Sequence, residues 1–198
     1  MAIETKTITE YNEYTVTEGH VRWLKEQAEG ADKYEKGIGL GCTGSLNTET
    51  EIKVVTKTCE GNPVKEWPVP QKMTATFVGH MPVPIVRKAF GLTNKDLKPG
   101  VFSYGVDSRG GGGVFTWKTL NIEETITKFL AFPNGSFVGG LKLTLENGLD
   151  EIAQVEMTLT FMKDDNRQFY YEAFDEELED EDVKNKWMQE FTPELVKK

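Results

Sequence analysis

The stretch from residue 153 to residue 161 constrains the fold most, because apolar and polar side chains alternate along it. Ala153, Val155, Met157, Leu159 and Phe161 are the apolar members, and the residues between them are polar. A period of two predicts a β-strand with one buried face and one wet face. The chain must therefore form a sheet whose apolar face is covered by something else.

Two more runs near this strand read as strands. Leu141, Leu143 and Leu145 alternate with polar residues and lead into Asn147-Gly148, a turn signal that predicts an antiparallel hairpin. Residues 169–174 follow the polar break at residues 163–167 and predict a third strand.

Length and composition favour one β-rich domain with extensions. The 198 residues suffice for one full core, and 19 glycines suit a fold with many turns. We expect a mainly β fold, an antiparallel β-sandwich or partial barrel with one short α-helix, an N-terminal arm and a C-terminal acidic helix. The expected divisions are residues 1–35 (arm and possible short helix), 36–174 (β domain) and 175–198 (acidic helical extension).

The N-terminal third contains an arm, a glycine-rich strand and a proline-rich loop. Residues 1–19 predict an arm with strand character, and residues 21–28 predict a short helix. Residues 37–44 have glycine at every second place but lack the Gly-Lys-Ser/Thr ending of a phosphate loop, so a strand that lets another backbone approach is favoured. Residues 51–58 predict a strand, and residues 60–71, with three prolines and Trp67, predict a long loop or irregular edge.

Alternation continues through the middle of the chain. Residues 72–78 and 114–121 predict strands, and residues 101–106 are a strand candidate. Residues 85–92 have apolar side chains at helical spacing after Pro84, which predicts the one helix inside the domain. The four glycines within residues 107–113 predict a flexible loop.

The acidity belongs mainly to the C-terminus. The net charge is −9, and residues 172–198 hold ten acids against four lysines, which leaves −3 for residues 1–171. A net-negative chain without basic clusters argues against tight nucleic-acid binding. Residues 175–182 contain seven acids and are read as a solvated tail or an interaction arm, and Val183, Trp187 and Phe191 follow at a spacing of four, as in an amphipathic helix.

Residue types that carry catalysis are sparse, so we expect no enzyme and no cofactor. His20 and His80 lack a second ligand at a recognised metal spacing, and Cys42 and Cys59 fit reduced core thiols better than a disulfide. The oxygen cluster at residues 164–166 fits a polar hairpin turn better than a calcium loop.

No secretion signal or membrane-spanning apolar run is present, which predicts a protein made in the cytoplasm that stays soluble.

The order of these parts resembles the major tail protein, or tail tube protein, of long-tailed bacteriophages. The resemblance covers roughly residues 36–174: the strand at 51–58, the broken loop through Trp67, the strand at 72–78, one helix near 85–90, and then β-hairpins that include residues 148–161. The acidic extension 175–198 is not something the common core of that family requires.

The resemblance implies a virion tail protein, assembled in the host cytoplasm, that forms homo-hexameric rings stacked into a hollow tube. Viral DNA would pass through the tube without specific binding, and no membrane is involved. Other tail proteins would be neighbours: the tape measure, tail terminator and distal tail proteins. A negative lumen suits this role, because phosphates that meet no cation on the wall are not held.

Two sets of residues are hypotheses for that assembly. The expected lumen-facing residues are Thr144, Glu146, Gln154, Glu156, Thr158 and Thr160. The expected ring–ring or subunit-interface residues are Tyr14, Val16, Pro63, Trp67, Pro68, Pro70, Trp187 and Phe191.

The alternative is a monomeric β-sandwich module that binds carbohydrate or a host surface. In that reading Trp67, Trp117 and Tyr170 or Tyr171 are stacking platforms. Trp67 itself reads equally well as a core tryptophan under a proline-rich cover. Solution size discriminates, because a tube protein forms rings or filaments and a binding module stays monomeric.

Overall fold

The computed structural model describes residues 7–25, 33–142 and 152–198, and these ranges form a mainly β fold. The strands are β1 (Glu13–Trp23), β2 (Ile38–Gly39), β3 (Cys42–Cys59), β4 (Asn62–His80), β5 (Gly112–Asn121), β6 (Thr127–Phe137), β7 (Val155–Phe161) and β8 (Tyr171–Phe174). All pair antiparallel in one open sheet with the order β2-β1-β5-β6-β7-β4-β3, and β8 pairs with β6. The expected antiparallel, mainly β fold class is confirmed.

The N-terminal segment is part of the sheet. β1 pairs with β5, about one hundred positions later, and its Val21 and Trp23 side chains are buried in the main core. The predicted helix over residues 21–28 is wrong where the structure describes it, because Val21 and Trp23 belong to β1 and Leu24 bridges to Tyr34. Tertiary pairing overrides the weak helical spacing of these residues.

The centre of the sheet is covered on both faces. In β5, Phe115 and Trp117 point into the main core, whereas Val114 belongs to a second core beneath the C-terminal helix. β6 was not predicted from the sequence, because burial on both faces replaces alternation by a continuous buried run from Phe129 to Pro133. The central strands are therefore packed between two cores.

The strand predicted at residues 153–161 is confirmed as β7. Met157, Leu159 and Phe161 are buried, whereas Ala153 lies just outside the strand and is exposed. The run at residues 169–174 forms β8, which pairs with β6 and not with β7. The hairpin predicted between the strand at residues 153–161 and the run at residues 141–145 is not tested, because most of that run and the turn at 147–148 lie outside the described residues; Leu141 and Lys142 are described and are not in a strand.

The helix predicted at residues 85–92 is confirmed, whereas the strand predicted at residues 101–106 is wrong. α1 (Val83–Phe90) begins with Pro84 in its first turn and ends at Gly91, which adopts a left-handed conformation with φ 66°. Residues 101–106 form no strand and contribute only an isolated bridge between Thr93 and Ser103. Residues 91–111 are therefore a long irregular connection.

The acidic C-terminus forms a helix that packs on its own chain. In α2 (Glu181–Glu190), the Asp180 side chain caps the N-terminus by accepting from the backbone N–H groups of Asp182 and Val183. The acids in the first turn suit the positive end of the helix dipole. A short 3-10 helix, Pro193–Val196, follows. No helix within the described ranges is long and apolar enough to cross a membrane.

Candidate functional site: a projecting ribbon and a polar sheet face

The most prominent surface feature is the hairpin of β3 and β4, whose outer half stands away from the rest of the domain. β4 pairs with β7 only over Met73–Gly79, so beyond the pair of Glu51 and Lys72 the two strands pair only with each other. We call residues 52–71 the ribbon. At about 3.3 Å per residue it extends roughly 26 Å past that pair, and every residue in it is exposed.

The ribbon closes in a tight two-residue turn. Cys59 pairs with Asn62, and the turn residues Glu60 and Gly61 both have positive φ, 52° and 84°. This is the geometry of a type I′ turn, whose twist matches that of the flanking strands. Of the two interpretations of residues 60–71, the long loop is wrong, because all but Glu60 and Gly61 belong to β4; the irregular edge agrees with a segment that pairs only with β3 and has a register shift.

Three prolines made this segment look unlike a strand, because proline has no N–H group to donate to a neighbouring strand. Pro68 and Pro70 are two residues apart, so both remove N–H donors from the same edge of β4, and β3 pairs along the other edge. Pro63 pairs with Thr58 beside the turn. Prolines also protect the free edge of β4 against adding a further strand.

One face of the ribbon is apolar and uncovered. Ile52 pairs with Pro70 and Val54 pairs with Pro68, so these side chains share a face, and both Ile52 and Val54 are 53% exposed. By the alternation of β3, this face continues the row that carries Leu46 against the main core. We call it the apolar ribbon face. A core-type face therefore runs past the end of the core.

The opposite face of the ribbon is cationic and aromatic. Val55 pairs with Trp67, Lys53 with Val69 and Lys57 with Lys65, which places three lysines around Trp67. The Lys65 ammonium lies over the Trp67 ring at 5.1 Å from its centre. We call this the lysine ribbon face. Trp67 is 40% exposed, so it is not a core tryptophan.

The predicted lumen residues that the structure describes share one polar sheet face. Glu156, Thr158 and Thr160 alternate with buried residues on β7, and Gln154 is exposed just before the strand. Glu156 is paired with Lys142 at 2.8 Å, which offsets part of its charge. Thr144 and Glu146 lie outside the described residues.

Sequence reasoning predicted parts of β3 and β4 as strands but did not place them beside β7, where they widen this face. Thr76 pairs with Thr158 and Thr74 with Thr160, and across β3 Asn47 and Glu49 pair with Thr76 and Thr74. The alternation of residues 72–78 could have predicted that Thr74 and Thr76 share the exposed side of their strand. Which strand lies beside β4 cannot be predicted from the local sequence. The face is rich in hydroxyl groups and carries few charges.

A cleft lies between the unpaired edges of β1 and β3. Its volume is about 390 Å³, and it is lined by Tyr14, Val16, Leu46, Met73 and Tyr170, among others. Tyr14 is 70% exposed and Val16 is half-buried, so two residues predicted for an interface lie at this opening. β1 and β3 are not hydrogen-bonded across it, which leaves the curved sheet open there.

A polar network borders the cleft. The Tyr170 hydroxyl donates to Glu172 at 2.6 Å, and the Lys128 ammonium lies 2.8 Å from the same carboxylate. Burial, followed by the hydrogen bond to Glu172, raises the pKa of Tyr170. Burial works to raise the pKa of Glu172, but the hydrogen bonds from Lys128 and Tyr170 outweigh it and lower the pKa.

Two residues predicted for an interface are instead buried in their own chain. Trp187 and Phe191 are 1% and 0% exposed and pack in the second core with Phe129 and Tyr171. The structure thus removes both from the surface that a second copy could contact. The amphipathic spacing was correct, and the surface that it covers is the chain's own sheet.

The cysteines and histidines do not form a common site. Cys42 and Cys59 are free thiols, as expected, but both are exposed and not in the core. They stand at opposite ends of β3, about 56 Å apart at roughly 3.3 Å per residue, which is too far for a bridge. Cys42 pairs with His80 across the ladder, while His20 contacts the Glu18 carbonyl at 2.9 Å.

Within the described ranges, no three His, Cys, Asp or Glu side chains are grouped to hold a metal. The oxygen cluster at residues 164–166 makes a turn: Asp164 accepts from the N–H groups of Asn166 and Gln168, and Tyr171 donates to its other oxygen at 2.7 Å.

The stacking platform of the alternative interpretation is not assembled. Trp117 is 0% exposed in the main core, whereas Trp67 lies out on the ribbon. Tyr170 borders the cleft, and Tyr171 packs against Phe191. These aromatic residues do not meet in one concave site.

Comparisons with known proteins give little beyond this geometry. No protein-family model matches the chain, and no curated protein matches it. Among solved structures, a cryo-electron-microscopy structure of the cap that terminates the anti-feeding prophage tube is similar, with a TM-score of 0.45 and 12% identity over 87% of this chain and 99% of that one. A likeness this weak carries no functional conclusion.

Proposed function

We propose that this chain is a structural subunit of a bacteriophage tail tube, in which hexameric rings stack into a hollow conduit for viral DNA. The observation that carries the proposal is the ribbon, which exposes a core-type apolar face beyond the body of the domain. In this role the subunit contacts copies of itself and, at the tube ends and lumen, the tape measure, tail terminator and distal tail proteins. The role needs no catalysis or cofactor.

The apolar ribbon face supports association. When a partner covers an exposed side chain of the size of valine or isoleucine, the burial contributes about 1 kcal/mol or more to the free energy of association. Ile52, Val54, Pro68 and Pro70 lie together on that face, and Val64 beside the turn is 60% exposed. A contiguous apolar strip on a projecting arm is typical of a surface that a partner covers.

The open sheet edges support closure by copies of the same chain. The outer edge of β3 has no strand partner within the described residues, and β1 faces it across the cleft. Long unpaired edges invite pairing with another chain, and closing strands into a barrel removes them. A contact between different surfaces of identical subunits closes into a ring when its rotation fits.

The polar sheet face supports a DNA-conducting wall. Thr74, Thr76, Thr158 and Thr160 present hydroxyl groups, and the nearby Lys142 is paired with Glu156. A wall without free cations releases no counterions when DNA approaches, so the phosphates are not held. The proposal places this face toward the lumen.

The test is the assembly state of the full chain and of a ribbon-shortened variant. Glu51 and Lys72 lie opposite each other in the β3–β4 pairing, and the Lys72 ammonium is 3.1 Å from the Glu51 carboxylate. Replacing residues 52–71 with Asn-Gly therefore connects these two residues by a favoured two-residue turn. We expect rings or filaments for the wild-type chain in negative-stain electron microscopy, and only monomers for the variant at an unchanged melting temperature.

A point variant addresses the apolar ribbon face itself. Val54→Glu should prevent assembly, whereas Val106→Glu, at a loop residue that is 91% exposed, serves as the matched control and should assemble normally. A wild-type chain that stays monomeric at high concentration, or a ribbon-shortened variant that still forms filaments, would contradict the proposal and favour the monomeric binding module.

A further inference from the structure

The charge of this chain is divided between the long hairpin and the rest of the molecule. Residues 42–80 contain four glutamates and four lysines, a net charge of 0, so the remaining residues hold the whole net charge of −9. On the lysine ribbon face there are three lysines and no acid, because Glu66 pairs with Thr56 on the apolar face. One molecule thus offers a cationic face on a hairpin without net charge, and an acidic body.

The three lysines are not neutralised within the described part of the chain. Lys53, Lys57 and Lys65 take part in none of its ion pairs, in contrast to Lys72, which contacts Glu51 at the base of the ribbon. Lys65 and Trp67 together form a cation–π pair that presents both charge and apolar area. Such a surface suits a negatively charged protein partner.

The densest negative charge on the body lies at the start of α2. Residues 175–182 contain seven acids, and the side chains of Glu181 and Asp182 are 78% and 74% exposed. Their local partners are weak competitors, since Lys184 is 3.6 Å from Glu181 and the pair of Lys186 with Asp182 is exposed. A second copy can therefore offer an acidic surface to the ribbon.

We propose that the lysine ribbon face of one copy docks on the acidic surface at the start of α2 of a second copy, with Lys53, Lys57 and Lys65 facing Glu181 and Asp182. This inference rests on the proposed tube assembly and adds which surfaces meet. Under that assembly, uncovered lysines would hold passing DNA by counterion release, so an acidic protein surface fits them better than phosphate does. Complementary patches on one chain also set the direction of head-to-tail contacts.

The test uses charge reversal in the full chain. The variant K53E/K57E/K65E should raise the concentration needed for assembly by at least about tenfold, as should E181K/D182K, because like charges then face each other. A single chain that carries all five substitutions should assemble as the wild type does, because the signs are again complementary. The control K95E/K98E/K163E makes the same change in net charge at exposed lysines away from the ribbon and should leave assembly unchanged.

Sedimentation of assembled material, electron microscopy and melting temperature are the measurements, repeated at about 0.05 M and about 0.5 M salt, where screening should weaken the wild-type contact. If the wild-type chain and the K53E/K57E/K65E variant assemble equally well, this inference is wrong and the tube proposal stands. If the chain with all five substitutions does not assemble at the wild-type concentration, the pairing with α2 is refuted. Wild-type binding to a DNA duplex that is lost in the ribbon reversal would make DNA the partner and overturn the inference.

Discussion

The Arg22 guanidinium donates a hydrogen bond of 2.6 Å to the main-chain carbonyl oxygen of Phe191, joining β1 to the end of α2 across 169 positions of sequence. Its Nε atom also donates to the Glu35 carbonyl at 3.1 Å. Burial lowers the pKa of Arg22, and the nearby charge of Glu190 opposes this effect. The last carbonyls of a helix have no partner within the helix, and here a strand side chain supplies one.

Replacing Arg22 should release the C-terminal segment. We expect Arg22→Met to lower the free energy of unfolding by about 2–4 kcal/mol, because a buried carbonyl of Phe191 and a partly buried carbonyl of Glu35 lose a charged donor. Urea unfolding measures the change. Lys163→Met, at an exposed lysine, is the matched control, and an equal effect of the two substitutions would contradict this role of Arg22.

The second core should depend on the size of Trp187. Trp187→Ala should lower the free energy of unfolding by about 3–5 kcal/mol through the cavity it leaves. Trp187→Phe should lower it by less than about 1.5 kcal/mol, since an aromatic ring is kept and the buried Nε1 atom has no hydrogen-bond partner among the described residues. Thermal unfolding of both variants gives the comparison, and equal losses would rule out a packing role.

Gly113 allows β1 to approach β5. A Cβ atom at this position would lie 1.9 Å from the Arg22 carbonyl oxygen, whereas a Cβ at Gly105 would have no atom of the described residues within 4 Å. Gly113→Ala should therefore destabilise the chain severely or prevent folding, and Gly105→Ala should change the stability by less than about 0.5 kcal/mol. Expression yield and melting temperature report both effects.

Tyr170 should make the chain sensitive to alkali. Its pKa is raised in the folded state, so its contribution to stability is complete below its ordinary pKa of about 10 and is lost as the pH rises above that value. Tyr170→Phe should therefore reduce the loss of stability between about pH 10 and pH 12. Unfolding at a series of pH values tests this, with Tyr14→Phe as a control at an exposed hydroxyl; identical slopes for Tyr170→Phe and the wild type would be contrary evidence.

The polar sheet face should matter for DNA passage if it lines the lumen. In assembled particles, Glu156→Lys places a second ammonium beside Lys142 and should slow DNA ejection without affecting assembly, because cations on the wall hold phosphates. Glu156→Gln is the neutral control and should have a smaller effect. Unchanged ejection kinetics for Glu156→Lys would count against a lumen position.

The candidate site was only partly readable from the sequence. Alternation correctly placed Glu156, Thr158 and Thr160 on the exposed side of β7, because side-chain direction in a strand follows from position alone. The ribbon was missed, because Pro63, Pro68 and Pro70 argue against a strand unless one edge is left unpaired. That condition depends on which strands lie beside β4.

The fold class, the buried side of β7, the helix α1 and the amphipathic helix α2 could be predicted from the sequence, since each depends on periodicity over a few neighbouring residues. Three outcomes could not be predicted: β1 pairs with β5, β6 lies buried between two cores, and Trp187 and Phe191 cover their own sheet. These outcomes depend on contacts between residues far apart in the chain. A local pattern says that a side chain is to be covered, but only the folded chain supplies what covers it.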